Sequence, residues 1–365
     1  MIELRASVSP GELRVAAWDG RLVDYAISRS SDQFAVNSVH RGRVIARVPA
    51  MAGAFVALDG IEGFLPDSEM GPLKASLSAG TVLGVRVSRS PQGGKGPRLA
   101  AQTEPLESGP PGLLAAAPDA LDRMLARYPE AKIRIDDAAR AGTLPAGFKL
   151  VTNAFGDEVE QALAELAASL APLPGGASMT IHPTPALVAI DVDLGSQTAQ
   201  RRDKEAAQAM GNRALIPELC RQIRLRNLSG AIVVDLAGMT PRKRHALAPD
   251  FVRALAQDPL APKFLGFSAL GLAEILRPRV YPPLHECLMG PHARGLAALR
   301  ALDREAAAQP HLTLALRCSP ALASALRQDA AARTALADRT GRPLLLIEDR
   351  AIADDAWSLE TNTRG

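Results

Sequence analysis

Two apolar runs, each closing on aspartate, set the first constraint on this chain. ALVAIDVDLGS (186–196) and AIVVDLAGM (231–239) are aliphatic enough to be interior strands. Between them Ile216, Leu219, Cys220 and Ile223 fall on one helical face, and Asn227–Gly230 stops that helix just before the second run. The spacing therefore predicts strand, helix, strand over 186–235, with Asp191, Asp193 and Asp235 at the strand ends, the edge where ligand sites are favoured. In a strand buried on both faces an ionised carboxylate is costly unless something compensates it.

A shared metal ion would compensate. Mg²⁺ is held by one or two protein carboxylates, with waters and a substrate phosphate completing its shell. Such an ion polarises a phosphodiester and acidifies a bound water. The other reading of the same spacing is that each aspartate caps the helix or turn that follows its strand.

Upstream, ELRVAAW-DG-RLVDYAISR alternates apolar and polar residues around Asp19-Gly20, a hairpin pattern. From Val39 to about Ala101 several short strands separated by glycine and proline have the spacing of a small barrel. Arg41 and Arg43 project from one face of a strand there, Phe55 and Phe64 lie on separate strands, and the SPQGGKGPR loop adds Lys95 and Arg98. Rings that stack bases beside guanidinium groups that meet phosphates are what a single-stranded RNA surface needs. Phenylalanines in the barrel core with solvated arginines are the alternative.

Past the Pro/Gly-rich EPLESGPPG (104–112), LLAAAPDALDRMLARY and DEVEQALAELAASL have helical periodicity, while AKIRID, FKLVT and SMTIH are strand-like. After Pro291 an Ala/Leu-rich helical stretch with LTLALRC and PLLLIED predicts a small α/β domain. Two basic clusters flank the second carboxylate strand, Arg221, Arg224 and Arg226 before it and Arg242, Lys243 and Arg244 after it. Either could hold phosphates or be a wet face. His285, Glu286, Cys287 and His292 match no metal-ligand spacing and are expected to be structural.

A length of 365 residues implies about two to four domains. A net charge of +3 permits a nucleic-acid partner without requiring one. Three cysteines without CxxC spacing make neither a disulfide framework nor a closed zinc site readable and point to a reducing cytoplasm. The charged N-terminus and the lack of any long apolar run predict a protein that is neither exported nor membrane-bound.

RQIRLRNLSGAIVVDLAGMTP (221–241), with AIDVDLGS before it and GFSALGLAEILRPR (266–279) after it, resembles the catalytic core of the ribonuclease E/G family. VHRGRVIARVPAMAGAFVALDGIEGFLPDSEM and GGKGPRL resemble that family's S-one-type OB-fold RNA-binding domain, in the same chain order. The resemblance implies an α/β and β multidomain fold. An S-one-type OB-fold barrel (38–102) is inserted in an RNase H-like α+β subdomain (1–37 and 103–180). A DNase I-like catalytic α/β domain (181–290) and a small C-terminal α/β domain (291–365) follow. It also implies Mg²⁺-dependent cleavage of single-stranded RNA in the cytoplasm, in RNA processing or decay, leaving a 5′-phosphate. Asp191 and Asp235 match the family's metal-ligating aspartates, and Asp193 stands where the family usually has an asparagine. Phe55, Phe64 and Lys95 match positions that contact RNA.

The chain departs from the family elsewhere. The RTxGxG-like pocket that senses an RNA 5′-monophosphate is missing, which implies cleavage indifferent to the 5′ end. Only one cysteine stands at Cys287-Leu288-Met289-Gly290, where the family has its CPxC zinc link. A zinc-linked tetramer is therefore not expected, whereas a homodimer stays open. Gly238 and Ala214 stand where relatives often carry acidic residues. The rival expectation is an RNA-binding protein of weakened catalysis acting on ribosomal or precursor RNA.

Overall fold

Asp19 and Gly20 turn the chain between β2 (Glu12–Trp18) and β3 (Leu22–Arg29), which with β1 (Glu3–Ser9) form an antiparallel meander. Gly20 has φ 68°, the left-handed backbone that this tight turn needs. The computed structural model describes residues 1–361 except 105, 107, 108, 145, 146 and 196–203. The chain divides into two units, one of residues 1–91, 96–160 and 286–365, the other of residues 92–95 and 161–285.

Next in the first unit come β4 (Val39–Val48), β5 (Gly53–Ala57), β6 (Glu62–Pro66), β7 (Val82–Arg89) and β8 (Arg98–Ala101). They pair in the order β5-β6-β8-β7-β4, and β5 pairs back onto β4, closing a five-stranded barrel of OB-like form. Strand alternation fills its interior with Val44, Ala54, Val56, Leu65, Val85, Val87 and Leu99. The loop entering β8 crosses β6 so closely that a Cβ on Gly96 would stand 2.0 Å from the Glu62 carbonyl oxygen. Only glycine fits there.

A further strand, β9 (Gly112–Ala115), pairs with β4. The helical reading of 113–128 is thus corrected at its start: α1 spans Ala120–Arg127 only. Pro118 disfavours helix in the residue before it, and Asp119 begins the helix with a capping box shared with Asp122. β10 (Lys132–Ile135), α2 (Ala138–Ala141) and β11 (Phe148–Leu150) complete this region, with β10 and β11 extending the first sheet in parallel beside β1. Leu4, Ala6, Val15, Ala17, Leu121 and Met124 form its core.

α3 (Gly156–Ala167) leads into the second unit, a six-stranded mixed sheet ordered β12-β13-β14-β15-β17-β16. Its elements are β12 (Leu170–Pro172), β13 (Ser178–Pro183), β14 (Leu187–Asp193), α4 (Lys204–Leu225), β15 (Gly230–Asp235), α5 (Pro241–Arg244), α6 (Ala248–Leu255), β16 (Lys263–Phe267) and β17 (Ala273–Arg277). The predicted strand, helix, strand is β14, α4 and β15, with the two strands parallel. Val188, Ile190 and Val192 of β14 share one core with Leu215, Ile216, Leu219 and Ile223 of α4 and Phe251 of α6. β12 and β13 belong to this same sheet, so it reaches back before residue 181.

The remainder consists of α7 (Leu284–Leu288), α8 (Pro291–Ala308), β18 (Leu314–Cys318), α9 (Pro320–Gln328), α10 (Ala330–Thr340), β19 (Leu346–Glu348) and β20 (Trp357–Thr361). The last three strands form a sheet ordered β19-β18-β20, as LTLALRC and PLLLIED led one to expect. Among the described residues no helix is long and apolar enough to cross a membrane.

Candidate functional site

Asp191 and Asp235 are register partners across the parallel pair β14 and β15. In-register residues on neighbouring strands project from the same face, with backbones about 4.8 Å apart. Asp193, two residues further along β14, projects from that face too. All three carboxylates are exposed, whereas Val188, Ile190 and Val192 on the opposite face are buried. This corrects the expectation of a strand buried on both faces. The chain folds one side of β14 onto α4 and leaves the acidic end of the other in water, so the desolvation cost does not arise.

The three aspartates have different surroundings. Asp193 Oδ1 accepts the Gly195 N–H at 2.8 Å, tying one oxygen into the turn after the strand. Asp235 Oδ1 accepts from Arg244 Nη1 at 2.8 Å. The Arg244 side chain is only 10% exposed, against 54% for Asp235. Asp191 lies between Thr180 of β13 and Asp235 of β15 in register.

Two carboxylates side by side at the carboxyl ends of parallel strands form a hard, all-oxygen donor pair that suits Mg²⁺ and leaves its other positions to water and phosphate. Among the described residues no group of three or more His, Cys, Asp or Glu side chains is placed to hold a metal ion.

On the barrel, Phe55 and Phe64 are cross-strand partners, and Phe64 is in turn in register with Arg98. The three side chains form a row over β5, β6 and β8. Both rings are half-buried and neither belongs to the interior cluster, because Ala54, Val56 and Leu65 take the inward positions. Arg43 is exposed with Nη1 3.4 Å from the Gly80 carbonyl oxygen. Arg41 is half-buried and reaches the Pro110 carbonyl oxygen at 3.5 Å. Lys95 is exposed in the loop joining β7 to β8, where it bridges with Gln92.

The basic clusters split. Arg242 is exposed and Arg224 half-buried, but Arg226 is buried and donates to the Glu165, Leu166 and Ala168 carbonyls. Burial pulls its pKa down to about 10. It caps the end of α3 rather than holding phosphate. Arg244 is likewise withdrawn from solvent, with Nη1 on the Gly271 carbonyl at 2.8 Å, Nη2 on Leu236 at 2.6 Å and Nε on Met239 at 3.2 Å. Nothing in the RKR run distinguishes Arg244 from Arg242; the distinction comes from the left-handed backbone at Gly238 and Met239, which turns the chain after Asp235. Asn212 was not anticipated. Fully buried on α4, it donates from Nδ2 to the Ala237 carbonyl at 2.9 Å.

His292 is bonded through Nε2 to Asp329 at 2.8 Å, and burial pushes the Cys287 thiol up to about 11, away from the thiolate a metal would need. Both residues have structural surroundings.

The model of the ribonuclease E/G family matches residues 149–280. Ribonuclease E of Synechocystis sp. is 36% identical over 137 residues, 36% of this chain and 20% of that protein. Ribonuclease E of Escherichia coli is 37% identical over 115 residues, 31% of this chain and 11% of its own length. A chloroplastic ribonuclease E/G-like protein of Arabidopsis thaliana is 34% identical over 144 residues, 38% of this chain and 14% of that protein. The chain thus spans a fifth or less of each of these three relatives.

Proposed function

We propose, from the match of residues 149–280 to the ribonuclease E/G family, that the chain is a Mg²⁺-dependent endoribonuclease of that family acting on single-stranded RNA. The observation that carries this reading is the register pairing of Asp191 with Asp235 at the carboxyl ends of β14 and β15. Those two residues would hold the ion. When bound, Mg²⁺ supplies Lewis-acid polarisation of the phosphodiester and a more acidic water.

The rest is work for the chain's own groups. Phe55 and Phe64 offer base-stacking faces, and Arg98 and Arg43 offer charge to the phosphates between the stacked bases. Arg224, Arg242 and Lys95 would add further phosphate contacts. Asp193, with Oδ1 engaged by Gly195, keeps Oδ2 to orient the attacking water. The sequence lacks the RTxGxG-like motif, which supports cleavage independent of the 5′ end. Oligonucleotides with 5′-hydroxyl, monophosphate and triphosphate ends should be cut at the same rate.

Asp235→Asn tests the centre of the claim. It preserves shape and an acceptor for Arg244 while removing the charge. RNA cleavage should vanish and RNA affinity in EDTA should hold; wild-type cutting by this variant would end the nuclease reading. The second reading, an RNA-binding protein of weakened catalysis, draws on the small acidic set, with one Asp235 oxygen committed to Arg244 and glycine at position 238. Incubating a labelled single-stranded oligonucleotide with the protein in Mg²⁺ and in EDTA separates the two: binding with no metal-dependent cutting favours the second.

A further inference from the structure

We propose that Arg244 is a positioning residue, which fixes the Asp235 carboxylate so that Oδ2 is the oxygen presented toward Asp191 and the cation. The proposal rests on the nuclease reading above and extends it to a buried side chain that neither the family match nor the strand pattern picks out.

The position of the guanidinium is set by backbone alone. Three carbonyls hold it, Leu236 and Met239 from the turn after β15 and Gly271 from the turn before β17. With these bonds made it cannot swing outward to meet a phosphate, and Nη1, which also holds the Gly271 carbonyl, donates to Asp235 Oδ1 at 2.8 Å. An aspartate 54% exposed would otherwise sample several rotamers at the end of its strand. Asn212 braces the same turn through Ala237, so the carbonyls at 236, 237 and 239 are all held by buried side chains. A planar fork is required for this geometry. Lysine would carry the charge but could not span three carbonyls and a carboxylate in one plane.

Outer partners that orient a metal-ligating carboxylate are worth about 10- to 100-fold in metal affinity or activity. Arg244→Lys should therefore bind Mn²⁺, measured by calorimetry without RNA, about tenfold or more weakly than wild type. Its RNA affinity in EDTA should be unchanged, and kcat should fall while KM holds. A folded variant with wild-type Mn²⁺ affinity would overturn the proposal and leave Arg244 a loop brace. A measurement on the intact protein covers the case in which the variant does not fold: Mn²⁺ should broaden the Arg244 guanidinium resonance beyond detection, and a signal that survives saturating Mn²⁺ overturns the proposal equally. If wild type itself binds no Mn²⁺, the metal-dependent reading falls first and this proposal falls with it.

Discussion

Phe55 and Phe64 face each other across β5 and β6 with ring centroids 5.6 Å apart and planes at 64°, on the outside of a barrel whose interior is aliphatic. Arg98 continues the row in register with Phe64.

Replacing either ring by alanine should cost about 1–3 kcal/mol of single-stranded RNA affinity, the worth of one base stack. Folding should suffer less, because only the edge-to-face pair is lost, about 0.5–1.5 kcal/mol. Fluorescence anisotropy with a labelled oligonucleotide in EDTA measures the first, urea denaturation the second. Unchanged anisotropy in the double variant would remove this row from the path of the RNA.

The reach of sequence reasoning can be seen in particular residues. β14, α4 and β15 were readable because aliphatic residues recur at strand and helix periods and Asn227–Gly230 marks the break. The two aspartates were readable as strand ends, but their shared register was not, since pairing is decided by how the sheet assembles. Arg226 could have been separated from Arg224: it lies three residues after Ile223 and so continues the buried face of α4 just past its last residue, a periodicity argument that outweighs its charge. No such argument separates Arg244 from Arg242, because the carbonyls that capture Arg244 come from two different turns. The strand at 112–115 was hidden by its two leucines and Ala115, whose helical propensity is overridden by pairing with β4.

Glu160 links acid stability to the first unit. Burial alone would raise its carboxyl, but two hydrogen bonds from Arg14 at 2.9 and 3.1 Å, with Arg304 and Arg300 nearby, pull it down to about 2 from an ordinary 4.5. A depressed carboxyl contributes stability that is present above its unfolded pKa and lost as pH falls through the folded one. The contribution is therefore complete above about 4.5 and disappears toward about 2. Glu160→Gln should melt at a lower temperature than wild type at neutral pH, and the two curves should converge as pH drops through that window. Parallel curves across the window would show that the Arg14 pair does not set the acid limb.

Arg277, the last residue of β17, is the most deeply buried charged residue among the described residues of the second unit. Its side chain is 3% exposed and that of Asp258 5%, with Nε and Oδ2 2.7 Å apart. Nη1 also donates to Asn227 Oδ1 at 2.6 Å, and Asn227 holds the Tyr281 and Pro282 carbonyls through Nδ2. This cluster pins the end of α4 just ahead of the strand that ends on Asp235. Asp258→Ala strands a guanidinium away from water and should cost about 3–5 kcal/mol in urea denaturation. Adding Arg277→Met should recover part of that loss, because the stranded charge is then gone. The pair Arg213 and Asp250, 2.9 Å apart with the Arg213 side chain 54% exposed, is the control: Arg213→Ala should change stability by no more than about 1 kcal/mol. A loss at Asp258 no larger than that of the control would mean that water reaches Arg277, and that the second unit does not depend on this pair.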